Sequence, residues 1–378
     1  MWVQALSLTD FRSYEQADMD FTPGVTSFIG MNGQGKTNIV EAIAYLATLS
    51  SHRVSQDAPL VRAGAEHAVV RARMCEDDRS VSVDLQINPG GANKVRINRS
   101  AATRARDILG IVRSIVFAPE DLSLVRGDPG DRRRFLDEMT IQRHPRISGV
   151  RADYDKVLRQ RNALLKSAGG RMSSSTRETL SAWDEQLIEF GSDIIRNRQQ
   201  FIEDLRPNVQ RAYERIAGTA QVEIRYRPSS PSLIDTTTNP VATIDDIRNA
   251  FTMDVQARVE DEFRRGVTLV GPHRDDVELE LDGFPVKGYA SHGESWSMAL
   301  SLRLGAADVL RADGVDPIII LDDVFAELDT ARRRHLAAMV HVSTQVFITA
   351  AVAEDVPQEL TGARFEVVKG SVSRVSTA

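Results

Sequence analysis

A glycine-rich segment of the sequence has the residue types needed to bind a phosphorylated nucleotide. Residues 30–37 fit the pattern G-x-x-x-x-G-K-[ST] without a mismatch. Its glycines allow backbone N–H groups to close around phosphate oxygens, Lys36 brings positive charge to the β- and γ-phosphates, and the Thr37 hydroxyl is suited to holding Mg²⁺. The predicted nucleotide-binding residues are Gly30, Met31, Asn32, Gly33, Gln34, Gly35, Lys36, Thr37 and Asn38.

The residues on either side of this segment support the same interpretation. Val25–Ile29 is a short apolar run typical of a buried strand, and apolar residues recur at helical spacing from Asn38 onward. A helix that begins here adds the positive end of its dipole to the phosphate site. The alternative, a chance glycine-rich turn, does not require a strand before it and a helix after it.

Two adjacent acids provide the predicted partners of this loop. Asp322 and Asp323 follow four aliphatic residues, Ile318–Leu321, a pattern typical of a buried parallel strand whose carboxyl end faces a ligand. We expect Asp322 to hold the Mg²⁺ site opposite Thr37, and Asp323 to orient the attacking water. An apolar run that ends in an acid is common, so this prediction depends on the glycine-rich segment.

A second helix start has features of a phosphate-binding site. Ser291, Gly293 and Glu294 open a predicted helix, where a hydroxyl, an N–H group and the helix dipole coincide. One active site needs one glycine-rich loop, so this helix is predicted to serve the nucleotide of a neighbouring subunit. The simpler alternative is a helix capped by Ser291 or Ser295.

Arg12 lies just upstream of the glycine-rich loop, within Asp10-Phe11-Arg12-Ser13-Tyr14. It is predicted either to approach the nucleotide phosphates or to belong to an ordinary turn with a packed phenylalanine. The sequence favours neither alternative.

Composition limits the class of protein. The chain has 378 residues and a formal net charge of −6, so a DNA-binding surface would have to gather its basic residues on one face. Cys75 is the only cysteine, which excludes an intrachain disulfide. The N-terminal residues do not have the pattern of a signal peptide, and no apolar run approaches the roughly 20 residues of a membrane span. We expect a cytoplasmic protein.

Periodicity divides the chain into regions of different character. Apolar and polar residues alternate in three segments that predict an antiparallel meander, with Asp77-Asp78 as one of its turns. These segments are His67–Met74, Ser80–Ile87 and Lys94–Ile97. Helical spacing then dominates as far as about Arg265, and strand character returns at Val267–Val270 and Val277–Leu281.

The helical region is predicted to contain an antiparallel hairpin formed by two long helices. These are Ile147–Lys166 and Thr176–Leu205, joined by a Gly/Ser loop at Ser167–Ser175. Pro228–Pro240 is predicted to be a flexible loop, and Ile244–Phe263 a further helix. The sequence therefore predicts one α/β head, residues 1–120 and 266–378, interrupted by a mainly helical arm subdomain, residues 121–265.

The order of these motifs resembles the ABC-type P-loop ATPase heads of SMC-like proteins and, more narrowly, the RecF family. The resemblance is carried by segments spread over nearly the whole chain. They are Leu8–Tyr14, Val116–Leu122, Gly127-Asp128-Pro129, Arg132-Arg133, Phe135–Asp137, Gly271–Asp276 and Leu321–Phe325.

The resemblance implies a role for each motif. Residues 30–37 would be Walker A, Asp322 the Walker B metal ligand, and Asp323 would stand where ABC ATPases usually have a catalytic Glu. Ser291 and Gly293 would form the signature motif, acting across a dimer interface, and Asp329 would be the D-loop residue. Glu120 matches a Q-loop position only loosely.

The sequence departs from the wider ABC pattern at two places. His292 stands where signature motifs commonly have Gly or Gln, and Ala350-Ala351 stand where ABC transporters place a switch histidine. Without that imidazole, and with Asp323 in place of the longer Glu, we expect a slow ATPase that acts as a timer.

The function implied by the resemblance is ATP-dependent DNA binding in recombinational repair. ATP and Mg²⁺ would drive formation of a homodimer that binds double-stranded, gapped or junction DNA, with RecO and RecR as partners and RecA loading as the outcome. The predicted DNA contacts are Arg132, Arg133, Arg134, Arg143, Arg146 and Arg151. The alternative for each arginine is a solvated helix face paired with Asp131 or Asp137.

Other classes of P-loop protein fit less well. A transporter's nucleotide-binding subunit would have the switch histidine and a short helical subdomain. A P-loop kinase would lack the Ser291–Glu294 helix start and would need no dimer. Another SMC-like tethering ATPase would need hundreds of heptad residues, and the helical hairpin is far too short.

Overall fold

The structure is a computed structural model that describes residues 1–76, 79–101, 104–170, 173–234 and 242–375. The turn predicted at Asp77-Asp78, and parts of the loops predicted at Ser167–Ser175 and Pro228–Pro240, lie outside the described residues. The described part of the second loop includes a short helix, Pro231–Ile234, and Ser232 donates a hydrogen bond to Asp254.

The elements follow the predicted order closely. The strands are β1 Trp2–Phe11, β2 Tyr14–Asp20, β3 Gly24–Ile29, β4 Ala68–Glu76, β5 Arg79–Ile87, β6 Lys94–Ile97, β7 Ser100–Ala101, β8 Ser114–Phe117, β9 Val222–Arg227, β10 Asp276–Leu281, β11 Phe284–Pro285, β12 Ile318–Asp322, β13 Gln345–Ala350, β14 Ala363–Val368 and β15 Ser371–Arg374. The α-helices are α1 Lys36–Thr48, α2 Leu122–Arg126, α3 Pro129–Arg143, α4 Ile147–Ser167, α5 Ser174–Ala217, α6 Pro231–Ile234, α7 Ile244–Arg265, α8 Val286–Tyr289, α9 His292–Ala312 and α10 Thr330–Val340. Among the described residues, every helix is too short or too polar to cross a membrane.

The chain divides into two compact units. The first, here called the head, comprises Met1–Leu122, Asn208–Ala220 and His292–Ala378. The second, here called the arm, comprises Ser123–Pro207 and Gln221–Ser291. The head therefore takes a short segment from the predicted insertion, and the arm takes residues 266–291, which the sequence analysis assigned to the head.

A mostly parallel sheet in the head carries the glycine-rich loop. Its strand order is β15-β14-β3-β13-β12-β8, and only the edge strand β15 is antiparallel to its neighbour. Every residue of β12 is buried, as the run Ile-Ile-Ile-Leu-Asp predicts for a central parallel strand. Pairing of β12 with β13, and of β13 with β3, brings the carboxyl ends of these three strands to one edge.

The predicted meander forms a second sheet of the head, in the order β2-β1-β4-β5-β6-β7. Alternate residues of its strands are buried, so one face packs inward. This face shares a core with α1 and with residues of the parallel sheet, including Phe28, Phe347 and Phe365. The Phe28 ring stacks on Phe347 with centroids 6.1 Å apart. α1, the helix that follows the glycine-rich loop, is thereby buried.

The arm contains the antiparallel sheet β11-β10-β9, and this sheet explains the different unit boundary. Each residue of β10 pairs with one of β9, from Asp276 opposite Arg227 to Leu281 opposite Val222. Residues after 266 are thus tied to a strand inside the predicted insertion. The prediction that they belong to the head is wrong, as is the predicted strand at Val267–Val270, which is irregular and lies between α7 and β10.

The long arm helices do not pack only as a pair. Leu165 of α4 and Leu180 of α5 share a buried cluster with Phe263 of α7. The two-helix hairpin that the sequence predicts is therefore completed by a third helix. α5 is also longer than predicted, with Pro207 inside it at the boundary between arm and head residues.

The Gly271–Asp276 motif forms a buried polar cluster within the arm. Tyr154 Oη lies 2.7 Å from His273 Nδ1, and Asp275 accepts hydrogen bonds from Tyr226 and from the Ser229 backbone N–H. Burial is the main cause that lowers the pKa of His273 from 6.5 to about 4. These contacts give the motif a structural role in the arm.

The lowered pKa of His273 predicts acid sensitivity of the arm. Because the unfolded chain binds a proton near pH 6.5 and the folded arm only near pH 4, stability is fully present above 6.5 and is lost as pH falls toward 4. We expect His273 to account for about 2 kcal/mol of the loss in unfolding free energy between pH 7 and pH 5. The measurement is urea denaturation at both pH values, for wild type and for His273→Gln, which lacks the titrating ring.

The control for this prediction is the exposed His341, since His341→Gln should keep the wild-type pH dependence. An identical loss in wild type and in His273→Gln would contradict the prediction.

Candidate nucleotide-binding site

The glycine-rich loop connects β3 to α1 and needs its glycines for two reasons. Gly33 and Gly35 have φ angles of +79° and +112°, which residues with a Cβ rarely adopt. Gly30 has no room for a side chain, because a Cβ there would lie 2.3 Å from the Val367 carbonyl oxygen. The loop also accepts hydrogen bonds from the turn between β14 and β15, since Gln34 Oε1 lies 2.7 Å from the Lys369 backbone nitrogen.

Lys36 has the position expected of the Walker A lysine. Its side chain is buried, and Nζ donates to the carbonyl oxygens of Gly30 at 2.7 Å and Met31 at 3.2 Å. The ammonium is therefore held inside the loop by weakly charged carbonyl groups. A phosphate oxygen is a stronger acceptor for this charge, so the loop is suited to exchange these contacts for contacts to a nucleotide.

The residues predicted to be Walker A and Walker B meet directly. Thr37 Oγ1 donates to Asp322 Oδ1 at 2.9 Å, across 285 residues of sequence. Thr349, at the end of β13, donates to the same oxygen at 2.6 Å. A hydroxyl and a carboxylate in contact are oxygen ligands of the kind that Mg²⁺ prefers. The residues present therefore fit the cation that the sequence predicts.

Asp322 is kept ionised by its hydrogen bonds. Burial alone would raise its pKa, but the neighbouring His52 ring and the hydrogen bonds from Thr349 and Thr37 outweigh burial and lower it below 3.8. A carboxylate that stays charged while buried can attract a cation without first losing a proton.

Asp323 lies next to this pair in a different environment. Burial and the neighbouring Asp322 charge raise its pKa above 3.8, while Lys36 opposes that shift. Its φ of +51° is strained for a residue with a side chain, and its N–H donates to Thr349 Oγ1 at 2.9 Å. Asp323 lines a cleft of about 180 Å³ together with Asn32, Ala350 and Ala351. The cleft gives a water molecule access to a carboxylate that is more basic than usual.

His52 is a site residue that the sequence analysis missed. Its Nε2 lies 3.4 Å from Asp322 Oδ2, on the side of the carboxylate away from Thr37. No local pattern marks His52, because it follows α1 at a distance of 270 residues from Asp322 in the sequence. The only available signal was its place in a polar run, Ser50–Arg53, directly after the helix that begins at the glycine-rich loop.

Arg12 lies beside α1, where its charge is neutralised. Its guanidinium donates to both carboxylate oxygens of Glu41, at 2.5 and 2.8 Å, and to the Pro59 carbonyl oxygen. The neighbouring Tyr14 hydroxyl donates to the Gly35 carbonyl oxygen at 3.0 Å. The segment that contains Arg12 and Tyr14 therefore contacts both α1 and the glycine-rich loop. Contact between Arg12 and a nucleotide remains a prediction.

The predicted signature residues lie at an accessible helix start. α9 begins at His292, and both Ser291 and His292 are exposed, while Gly293 and Glu294 are partly buried. Exposure of Ser291 is necessary for a residue that is to act on a second molecule.

Arg332 connects the start of α9 to the predicted D-loop. It donates to Ser297 Oγ at 3.0 Å and is ion-paired with Asp329, which caps α10 by accepting from the Arg332 N–H. The guanidinium also lies against Gly293, where a Cβ would be 3.0 Å from Nη2. The start of α9 and the predicted D-loop residue are thereby held in one network within the head.

The structure reduces the set of arginines available to DNA. Four of the six predicted contacts are engaged within the arm: Arg132 with Asp276, Arg133 with the Asp275 carbonyl oxygen, Arg143 with Asp204 and Arg151 with Asp137. Arg132 is buried as well, which disfavours it as a DNA contact. Arg151 is paired with Asp137, as the alternative interpretation proposed. The contacts of the other three arginines are instead to Asp276, Asp275 and Asp204. Arg134 and Arg146 are exposed and stay predictions.

A substitution at Thr349 tests this arrangement. Thr349→Val removes the hydroxyl shared by Asp322 and the Asp323 N–H, which leaves two buried polar groups with one partner fewer. We expect a loss of about 1–3 kcal/mol in unfolding free energy and weaker Mg²⁺-dependent nucleotide binding. Denaturant unfolding and nucleotide titration measure the two effects.

Thr26→Val on β3 is the matched control. The Thr26 hydroxyl is equally buried but has no hydrogen-bond partner among the described residues, so its removal should be neutral or stabilising. Equal effects of the two substitutions would contradict the assigned role of Thr349.

Comparison with known proteins identifies the family of this chain. A profile of the family described as RecF/RecN/SMC N terminal domain matches residues 2–369. The DNA replication and repair protein RecF of Streptomyces avermitilis is 53% identical over 386 residues, covering 99% of this chain and 100% of that protein. The RecF protein of Frankia alni is 50% identical over 380 residues, covering 100% of both chains.

Solved structures give the same result at the level of the fold. A structure described as the recombination mediator protein RecF-ATP in the RecFOR pathway superposes with a TM-score of 0.89 at 26% identity, covering 99% of this chain and 98% of the other. The Smc head domain of Pyrococcus furiosus has a TM-score of 0.56 at 16% identity, over 100% of this chain and 96% of the other, and supports the fold alone. The chain therefore belongs to the RecF family of SMC-like, ABC-type ATPases.

Proposed function

We propose that this protein is an ATP-dependent DNA-binding protein of recombinational repair, and that ATP binding joins two copies into a DNA clamp. The observation that carries the proposal is the direct contact between Thr37 and Asp322, beside Lys36 and Asp323. This arrangement has the parts that bind and hydrolyse a nucleoside triphosphate: a phosphate loop, a pair of oxygen ligands for Mg²⁺ and a carboxylate next to a cleft. When bound, Mg²⁺ would neutralise phosphate charge between Thr37 and Asp322.

The dimer is proposed from the exposure of the signature helix. Ser291 and His292 face solvent at the start of a helix of 21 residues, and the dipole and N–H groups of a helix start favour an anion. In the proposed dimer, each Ser291 and Gly293 contact the nucleotide held by the other copy. Because the nucleotides make these contacts only in the dimer, they bind the dimer more tightly than the monomer. This difference in affinity shifts the monomer–dimer equilibrium toward the dimer.

The network around Arg332 suits this geometry. Because Arg332 contacts both Asp329 and the first turns of α9, the predicted D-loop and signature helix would approach a second copy as one rigid surface.

DNA binding is proposed to depend mainly on phosphate contacts. Arg134 and Arg146 are the exposed basic residues of the predicted set, whereas Arg132 and Arg143 are held in ion pairs. Affinity should then fall steeply with salt and depend little on base sequence. By resemblance to the family, the substrates are duplex, gapped or junction DNA, the partners are RecO and RecR, and the outcome is RecA loading.

Slow hydrolysis is proposed from Asp323 and its surroundings. Its raised pKa makes it a better proton acceptor, but it is one carbon shorter than Glu, and Ala350 and Ala351 bring no imidazole to the cleft. Hydrolysis would end the closed state and release DNA, so its rate sets how long the clamp persists.

The shared-site mechanism predicts an ATP-dependent dimer. We expect ATP to double the mass in solution for wild type, and both Lys36→Arg and Ser291→Arg to weaken dimerisation by roughly 100-fold or more, because each substitution disturbs charge-assisted contacts at two sites. Light scattering with and without ATP measures the mass.

Nucleotide binding distinguishes the two substitutions. Ser291→Arg should still bind ATP as a monomer, whereas Lys36→Arg should not bind it normally, since only Lys36 lies in the copy's own loop. Ser80→Arg, at an exposed position of the meander sheet, is the control and should dimerise like wild type. ATP turnover at the wild-type rate by monomeric Ser291→Arg would refute the mechanism.

Asp323→Asn should separate ATP-driven dimer formation from ATP hydrolysis. The amide keeps the size of the side chain but does not accept a proton, so turnover should fall by about 100-fold or more while the ATP-bound dimer persists longer. Phosphate release and dimer lifetime are the measurements. Glu359→Gln, at an exposed acid of the same unit, should leave both unchanged, and normal turnover by Asp323→Asn would exclude Asp323 from the reaction.

A further inference from the structure

His52 is a mostly buried imidazole at the predicted cation site for which the family roles provide no function. Both of its ring nitrogens are buried, and neither has a hydrogen-bond partner among the described residues. Its Nε2 lies 3.4 Å from the charged atom Asp322 Oδ2. A buried polar group without a hydrogen-bond partner costs free energy of folding, so the presence of the His52 imidazole at this position calls for an explanation.

The segment that carries His52 is held firmly on both sides. Ser51 Oγ donates to Glu41 Oε1 at 2.5 Å, and Arg53 Nη1 contacts Asn38 Oδ1 at 3.0 Å and Glu41 Oε2 at 3.4 Å. Glu41 is fully buried on α1, one turn after Thr37. The helix that positions Thr37 therefore also positions the backbone of His52.

The two oxygens of Asp322 are thus used differently. Oδ1 accepts from Thr37 and Thr349, whereas Oδ2 faces His52. A carboxylate that is contacted on both oxygens cannot rotate freely, and groups that orient a metal-binding carboxylate in this way tune its affinity for the metal.

We propose that His52 is a positioning residue of the cation site, which donates from Nε2 to Asp322 Oδ2 and thereby fixes the carboxylate for Mg²⁺. The proposal rests on the ATP and Mg²⁺ site of the proposed function, but not on the dimer or on DNA. His52 itself is not a ligand in this scheme, because Mg²⁺ prefers oxygen and Oδ2 lies between.

The test compares nucleotide binding with and without Mg²⁺ at one pH. A fluorescent ATP analogue is titrated into wild type, His52→Ala, His52→Gln and the exposed control His341→Ala, first with a chelator and then at increasing Mg²⁺. For His52→Ala we expect affinity without Mg²⁺ to stay within about 2-fold of wild type, and the Mg²⁺ concentration for half-maximal effect to rise by about 10- to 100-fold.

His52→Gln tests whether a side-chain N–H at position 52 is what the cation site requires. His52→Gln keeps a side-chain N–H that can reach the carboxylate, so it should recover much of the Mg²⁺ response, and it serves as the test protein if His52→Ala does not fold. His341→Ala should behave as wild type.

Two results would overturn the proposal. One is an unchanged Mg²⁺ requirement in both His52 variants, and the other is an equal loss of binding with and without Mg²⁺ in folded protein, which would assign His52 to the nucleotide pocket. Failure of ATP-dependent dimerisation or DNA binding would contradict the proposed function but would leave this result unaffected, because the measurement needs only the single chain.

Discussion

The hydrogen bond between Thr37 and Asp322 is the constraint on which the architecture of the head depends. It requires the first turn of α1, the end of β12 and, through Thr349, the end of β13 to meet at one point. These three elements come from opposite ends of the chain, and the parallel pairing of β3, β13 and β12 brings them together. The apolar strands are therefore the means by which two polar side chains are held within hydrogen-bonding distance.

Charge is used differently in the two units. In the head, buried ionic groups lie around the glycine-rich loop. Lys36 donates to a carbonyl oxygen of the loop, Asp322 accepts from Thr37, and Glu41 is paired with Arg12. In the arm, arginines and acids pair with each other inside the fold, as Arg161 does with Asp184 and Glu262. Removing one member of such a pair leaves an uncompensated charge, so these pairs specify the arm's packing.

The sequence was most informative where local pattern and chemistry coincide. The glycine-rich loop is identified by residues that are contiguous, and β12 by an apolar run that ends in an acid, so both the elements and the approach of Thr37 to Asp322 could be predicted. Helix and strand bounds in the head were close to those observed for the same reason.

Long-range pairing set the limits of prediction. Val277–Leu281 was correctly predicted as a strand, but its partner, β9, could not be identified from alternation alone, and the unit boundary was therefore misplaced. The arginines of α3 had the composition of a basic face, yet Arg132 is paired with Asp276, a residue 144 positions away. His52 was missed because nothing within its own segment indicates that it lies beside Asp322.

The hairpin of β14 and β15 has a consequence for how the protein matures during synthesis. Lys369 and Gly370 donate to Gln34, and the Val367 carbonyl oxygen lies close enough to Gly30 to exclude any side chain there. Lys369, in the turn that braces the glycine-rich loop, follows Gln34 by 335 residues. A nascent chain would therefore lack a finished glycine-rich loop until β14 and β15 have been made, which delays nucleotide capture to a stage when the other strands of the parallel sheet are already present.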